Sequence, residues 1–129
     1  MPAELAARLE DPAFSKTAKR AFFRIMERWQ VDNESARILL GTPGRSTFFA
    51  WKKAEGGLLP HDALERVSYV LGIYKGLQLL FPEAAQADAW VHKPNEAFGG
   101  RSALQHMLAG HVVDLHHVRA YLDHARGGA

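Results

Sequence analysis

Apolar residues recur along this chain at helical spacing, and glycine, proline and small polar residues mark the gaps between the stripes. Ala18, Phe22, Ile25, Met26 and Trp29 fall on one face of a helix predicted to run from a Ser15 N-cap to about Trp29. Ahead of it, residues 1–14 are alanine-rich with alternating charge, which predicts a frayed helix or arm. Asp32 or Asn33 caps a short helix carrying Ala36, Ile38, Leu39 and Leu40. Gly41-Thr42-Pro43-Gly44 ends it, because glycine permits a left-handed cap and Pro43 disfavours helix at Thr42. Ser46 or Thr47 then opens a helix through Phe48, Phe49 and Trp51 to about Ala54, before a Gly56-Gly57 break.

Pro60 to Phe81 is the longest helical stretch. Leu64, Val67, Val70, Leu71, Ile73, Tyr74, Leu77 and Leu80 leave it almost no polar face, so it is expected to be covered from several sides. Gly72 and Gly76, one turn apart, each cost about 1 kcal/mol relative to alanine in a helix, so a second helix is expected to cross closely there. Pro82 ends the stretch. A short alanine-rich helix follows over Glu83 to Val91, and another over Ser102 to Ala109, stopped by Gly110. Asp114 is the expected N-cap of the last helix, where Leu115, Val118, Leu122 and Ala125 form one stripe flanked by Arg119, Asp123 and Arg126. The fold class is all-α, with an N-terminal and a C-terminal lobe sharing the long central helix.

Trp90 to Leu104 holds the densest turn chemistry. Pro94-Asn95 starts a turn, Gly99-Gly100 supplies left-handed backbone, and Ser102 with Gln105 fits a capping box. Trp90, Val91, Phe98 and Leu104 bracket these polar elements and pin the turn to a core. With no preceding strand and no phosphate-loop lysine, turn-and-cap is preferred to an anion nest.

Bulk composition excludes several classes. A chain of 129 residues, 47% apolar with only 6 prolines, is globular rather than disordered. It has no cysteine, hence no disulfide framework, thiolate metal site or cysteine nucleophile, which fits a reducing cytoplasm. Met-Pro-Ala-Glu-Leu begins no secretory signal, and the apolar stretch Val67–Phe81 is too short and too interrupted to span a bilayer.

Net charge is only +2, but it is unevenly placed. Nine basic residues against three acidic ones between Lys16 and Lys53 give that segment +6, whereas residues 60–129 sum to −1. Short helix, glycine-bearing turn, aromatic-anchored second helix and flanking basic helix together read as a helix-turn-helix. In that reading Arg45, Ser46 and Thr47 meet a DNA groove, while Lys52, Lys53 and Arg37 meet phosphates. The alternative is a small helical bundle with a basic surface.

Trp90, Pro94-Asn95, Phe98-Gly99-Gly100-Arg101-Ser102, Met107-Leu108-Ala109-Gly110, Asp114-Leu115 and Val118-Arg119-x-Tyr121-Leu122-Asp123 resemble the Xre/MbcA/ParS antitoxin family, in its C-terminal toxin-binding domain. The likeness runs from about Gly72 to the end, and Ala103 departs from a proline that many relatives carry. The resemblance implies an Xre-like helix-turn-helix over residues 13–72 and a toxin-binding domain over 73–129. It implies a RES-domain toxin that degrades NAD⁺, neutralised by blocking its active site, and repression of the shared operon through operator DNA, as a dimer or toxin–antitoxin complex. Asn95, Arg101, Arg119 and the tail Arg126-Gly127-Gly128-Ala129 are the candidate toxin contacts. A stand-alone regulator with a dimerising C-terminal lobe is the alternative.

Seven histidines raise the question of a metal. Neighbours His116 and His117 point about 100° apart on a helix, and His117 to His124 spans about 10 Å, so neither pair grips one ion. With no carboxylate at a helpful spacing, no metal or other cofactor is expected. Ser102 has a capping role and no triad partner, so no catalytic residue is expected and the chain reads as a non-enzyme.

Overall fold

The computed structural model describes residues 10–127. Among the described residues seven α-helices follow in order: α1 (Pro12–Arg28), α2 (Asn33–Leu39), α3 (Arg45–Lys52), α4 (His61–Leu80), α5 (Ala84–Ala89), α6 (Ala103–Met107) and α7 (Val112–Ala125). Two 3₁₀ turns, Trp90–His92 and Glu96–Phe98, lie between α5 and α6. Among the described residues there is no strand, only an isolated antiparallel bridge between Pro94 and Ser102.

Helix α4 is the common wall. Its Val67, Val70, Ile73 and Leu77 are buried, and α1, α5 and α7 all pack on it. Glycine at 72 and 76 opens the surface to α7. A Cβ at Gly72 would sit 1.6 Å from Nη1 of Arg119, and one at Gly76 would touch Leu122 and Arg126 at 3.6–3.7 Å. The expected close crossing is therefore present, and at Gly72 it is a guanidinium rather than a backbone that fills the space.

Several helix starts differ from expectation. Helix α1 begins four residues early: Asp11 caps it, accepting from Ala13 N–H, and Pro12 occupies the first turn, where its missing N–H costs nothing. Ser15 is instead buried, and its hydroxyl accepts the Leu59 N–H at 3.1 Å. Part of the expected N-terminal arm, residues 1–9, lies outside the described residues. Helix α3 starts at Arg45 behind Gly44 with no side-chain cap, one or two residues ahead of Ser46 and Thr47. Asp114 lies in the first turn of α7 rather than at its cap; its carboxylate reaches back to the N–H of His111, which holds the cap position.

The turn after α5 is built as its chemistry demands. Asn95 Oδ1 accepts from Ala97 N–H at 2.9 Å, and the Asn95 carbonyl accepts from Phe98 and Gly100. Gly99 and Gly100 are left-handed, with φ of 67° and 84°. Ser102 and Gln105 complete a capping box at α6, at 3.1 and 2.8 Å.

Ser15→Ala should lower stability by about 1–3 kcal/mol in chemical denaturation, because the Leu59 amide loses its partner inside the core. A variant that unfolds like the parent would mean that amide has another acceptor. Gly100→Val should cost about 1–2 kcal/mol, since a β-branched residue resists left-handed backbone, with Gly100→Asn milder. Equal melting of parent and valine variant would show that the turn relaxes to another conformation.

Candidate nucleic-acid and partner-binding surfaces

Helices α2 and α3 and the turn between them form the first surface. Asp32 caps α2 by accepting the Ser35 N–H at 2.7 Å, and this backbone hydrogen bond holds its carboxyl below the usual aspartate range. Leu40 to Gly44 makes the turn, with Gly41 and Thr42 both at positive φ. Phe48 and Trp51 are buried and anchor α3; Phe48 meets Phe23 of α1 edge-on at 5.4 Å. That anchoring leaves Arg45, Ser46, Thr47, Lys52 and Lys53 all exposed.

The candidate contacts are not equally free. Arg45 is 74% exposed, with Nη2 3.6 Å from Glu34. Lys52 Nζ donates to Asn33 Oδ1 at 2.7 Å, tying the end of α3 to the start of α2. Arg37 is largely enclosed: it donates to the Pro43 carbonyl at 2.8 Å and to both Glu34 oxygens, at 2.7 and 3.2 Å. Hydrogen bonding from Arg37 lowers the Glu34 pKa and raises that of the guanidinium. Its position makes Arg37 a brace for the turn. Lys19, counted above with the basic residues of this half, is also withdrawn from the surface. It is buried and donates to the carbonyls of Glu55 (2.7 Å) and Gly57, and burial lowers its pKa.

Two further basic residues join this face. Arg20 and Arg24, one turn apart and exposed on α1, line a cleft of about 530 Å³ together with Asn33 and Lys52. Their four-residue spacing was readable in the sequence. That α1 presents them beside Lys52 follows only from the packing of α1 on α2 and α3.

The second surface lies around α6 and α7. Trp90 stacks on Tyr121 at 5.9 Å, and Phe98 meets Tyr121 and His106 at 5.5 and 5.0 Å. Phe98, His106, His117 and Tyr121 line an open depression of about 440 Å³. Arg101 is exposed at its edge, with Nη2 3.1 Å from His106 Nδ1. Asn95 is engaged within its turn by side chain and backbone alike. Arg119 lies over Gly72 and pairs with Asp123 at 3.3 Å. Arg126 and Gly127 are exposed at the end of α7, the former reaching across Gly76; Gly128 and Ala129 lie outside the described residues.

Chain spacing also concealed a cluster. His106 Nε2 is 3.2 Å from His117 Nδ1 and 3.9 Å from Asp114 Oδ1, so a carboxylate does stand beside two of the histidines. Partial burial lowers the His106 pKa; Asp114 opposes that shift, while Arg101 and His117 add to it.

Comparisons with known proteins match both halves of the chain. Residues 12–72 match the family described as Antitoxin Xre-like helix-turn-helix domain, and residues 76–128 match Antitoxin Xre/MbcA/ParS C-terminal toxin-binding domain. The two matches meet within α4. The chain is also 55% identical over 108 residues to Uncharacterized protein y4oB of Sinorhizobium fredii (strain NBRC 101917 / NGR234), covering 84% of this chain and 83% of that protein. With both halves matched in order on an all-helical fold, the chain belongs to the Xre/MbcA/ParS family of antitoxins.

Proposed function

We propose that this antitoxin neutralises a RES-domain, NAD⁺-degrading toxin by occupying its active site, and represses its own operon as a dimer or toxin complex. The match of residues 76–128 to a toxin-binding domain carries the reading and supports the type II mode, neutralisation by direct protein contact. Operator binding rests on the helix-turn-helix match and on the exposed first turn of α3, where Arg45, Ser46 and Thr47 have no core role. Lys52 and Lys53 supply positive charge at the other end of α3, where Arg20 and Arg24 share a cleft with Lys52. Arg37 contributes by holding the turn that presents α3.

Blocking a dinucleotide cleft requires a narrow insert, and a helical bundle is too wide. The end of α7 is narrow, the sequence runs on from it as Arg126-Gly127-Gly128-Ala129, and Arg126 can pair with carboxylates in such a cleft. Asn95, Arg101 and Arg119 stand as secondary contacts, with Arg101 the freest of the three. No helix among the described residues is long and apolar enough to cross a membrane.

Replacing Arg45, Lys52 and Lys53 together with alanine should weaken operator binding and reduce the slope of log K against log salt by about 2–3, one increment per lost phosphate contact. Toxin neutralisation should survive. Unchanged affinity and slope in a shift assay would move the DNA-binding face elsewhere.

Co-expression with a neighbouring RES-type gene product should yield a co-purifying complex that spares NAD⁺. Deleting residues 126–129 should leave folding and DNA binding nearly intact while NAD⁺ loss returns. Full inhibition by the truncated chain at equal concentration would relocate the inhibitory surface, first to the exposed side of the Pro94–Arg101 turn.

A further inference from the structure

His106, Asp114 and His117 meet at the corner between α6 and α7. Their donor atoms all lie within 4.8 Å of one another. Asp114 and His117 are three residues apart and so share a face of α7, while the Ser102 capping box and the left-handed Gly110 set the angle at which α6 brings His106 to them. With metal–nitrogen bonds of about 2.0–2.1 Å, two donors on a tetrahedral ion stand about 3.3–3.4 Å apart. The two ring nitrogens, at 3.2 Å, are already at that separation. Asp114 Oδ1 lies farther out, 3.9 Å from His106 Nε2, so the carboxylate has to shift toward the two nitrogens on binding.

We propose that this corner binds a late first-row divalent cation, Zn²⁺ foremost, through His106 Nε2, His117 Nδ1 and Asp114 Oδ1, with water as the fourth ligand. Two imidazoles and one carboxylate suit zinc and its neighbours rather than magnesium or calcium, which take oxygen donors. The second oxygen of Asp114 accepts the His111 N–H at 3.1 Å, which orients the carboxylate and leaves Oδ1 to the corner. Asp114 is buried and His106 half-buried, whereas His117 is exposed, so the site has an ordered floor and an open side for the ion and its water. His116 is not part of it. Its Nδ1 lies 3.4 Å from the Tyr69 hydroxyl, and its ring packs edge-on against that tyrosine.

Arg101 makes the proposal sharper. A guanidinium has only donors, so the 3.1 Å contact with His106 Nδ1 requires that nitrogen to be unprotonated and places the proton on Nε2. Ligation through Nε2 moves that proton to Nδ1, with no net release, and turns Arg101 away into solvent. Arg101 thus opposes the metal twice, by stabilising the other tautomer and by its charge.

The test titrates the full chain, purified without a histidine tag, with Zn²⁺ and Co²⁺. Saturable 1:1 binding is expected, with a Zn²⁺-dependent rise in Tm and Co²⁺ absorption of tetrahedral intensity. His117→Ala, which removes an exposed ring, should weaken binding at least about tenfold and abolish the Tm rise. His116→Ala should bind like the parent. Arg101→Ala should bind tighter, on the order of threefold or more, because a competing charge and a hydrogen bond to the wrong tautomer are gone. The site is overturned if the parent shows no saturable binding, if His117→Ala binds as the parent does, or if His111→Ala or His124→Ala is the variant that loses it. Equal affinity in Arg101→Ala overturns ligation through His106 Nε2.

Discussion

Helix α4 sets the terms for the rest of the molecule. A helix that is apolar nearly all round is stable in water only when other elements cover it, and α1, α5 and α7 are those elements. Covering it from two sides joins what would otherwise be two small helical units, each with little core of its own. The helix-turn-helix and the half that matches a toxin-binding domain therefore share one wall, and the two family matches divide within that helix rather than at a linker.

Close crossing of α7 is the second constraint. Gly72 and Gly76 lack the side chains that would hold α7 off, and Arg119 and Arg126 lie across the cleared strip. Arginine suits the position: its stem covers apolar surface while its guanidinium stays near water, where Arg119 also meets Asp123. One of the cations expected to contact a partner, Arg119, is thus partly engaged in holding the lobe together.

Similar double use marks the helix-turn-helix. Left-handed Gly41 and Thr42 let the chain reverse, and Arg37 holds the reversal by bonding Glu34 and Pro43 at once. Lys19 does comparable work on the opposite side, fastening the Glu55–Gly57 loop to α1 from a buried position. A buried ammonium persists there because two carbonyls compensate part of its lost hydration. What remains at the surface is a smaller and better defined set of cations, with Arg45 at the start of α3, Lys52 and Lys53 at its end, and Arg20 and Arg24 across a cleft from Lys52.

Periodicity and local turn chemistry by themselves determined the all-helical class, the shared central helix, the left-handed Gly99-Gly100 pair and the Ser102–Gln105 capping box. Each depends on residues a few positions apart, so each is written where it acts. Family motifs between Trp90 and Asp123 likewise needed no coordinates. Tertiary structure decided what depends on distant partners. Ser15 looked like a cap because a serine ahead of an apolar stripe commonly is one, but the Leu59 amide, 44 positions away, claims its hydroxyl. Lys19 looked like free charge until the carbonyls of Glu55 and Gly57, 36 and 38 positions away, came within hydrogen-bonding distance; Arg37 is withdrawn by nearer partners, Glu34 and the Pro43 carbonyl. The histidines looked scattered because spacing along one helix cannot register a ligand set drawn from two. His106 comes from α6 and Asp114 and His117 from α7, and only the angle between those helices brings their donor atoms together.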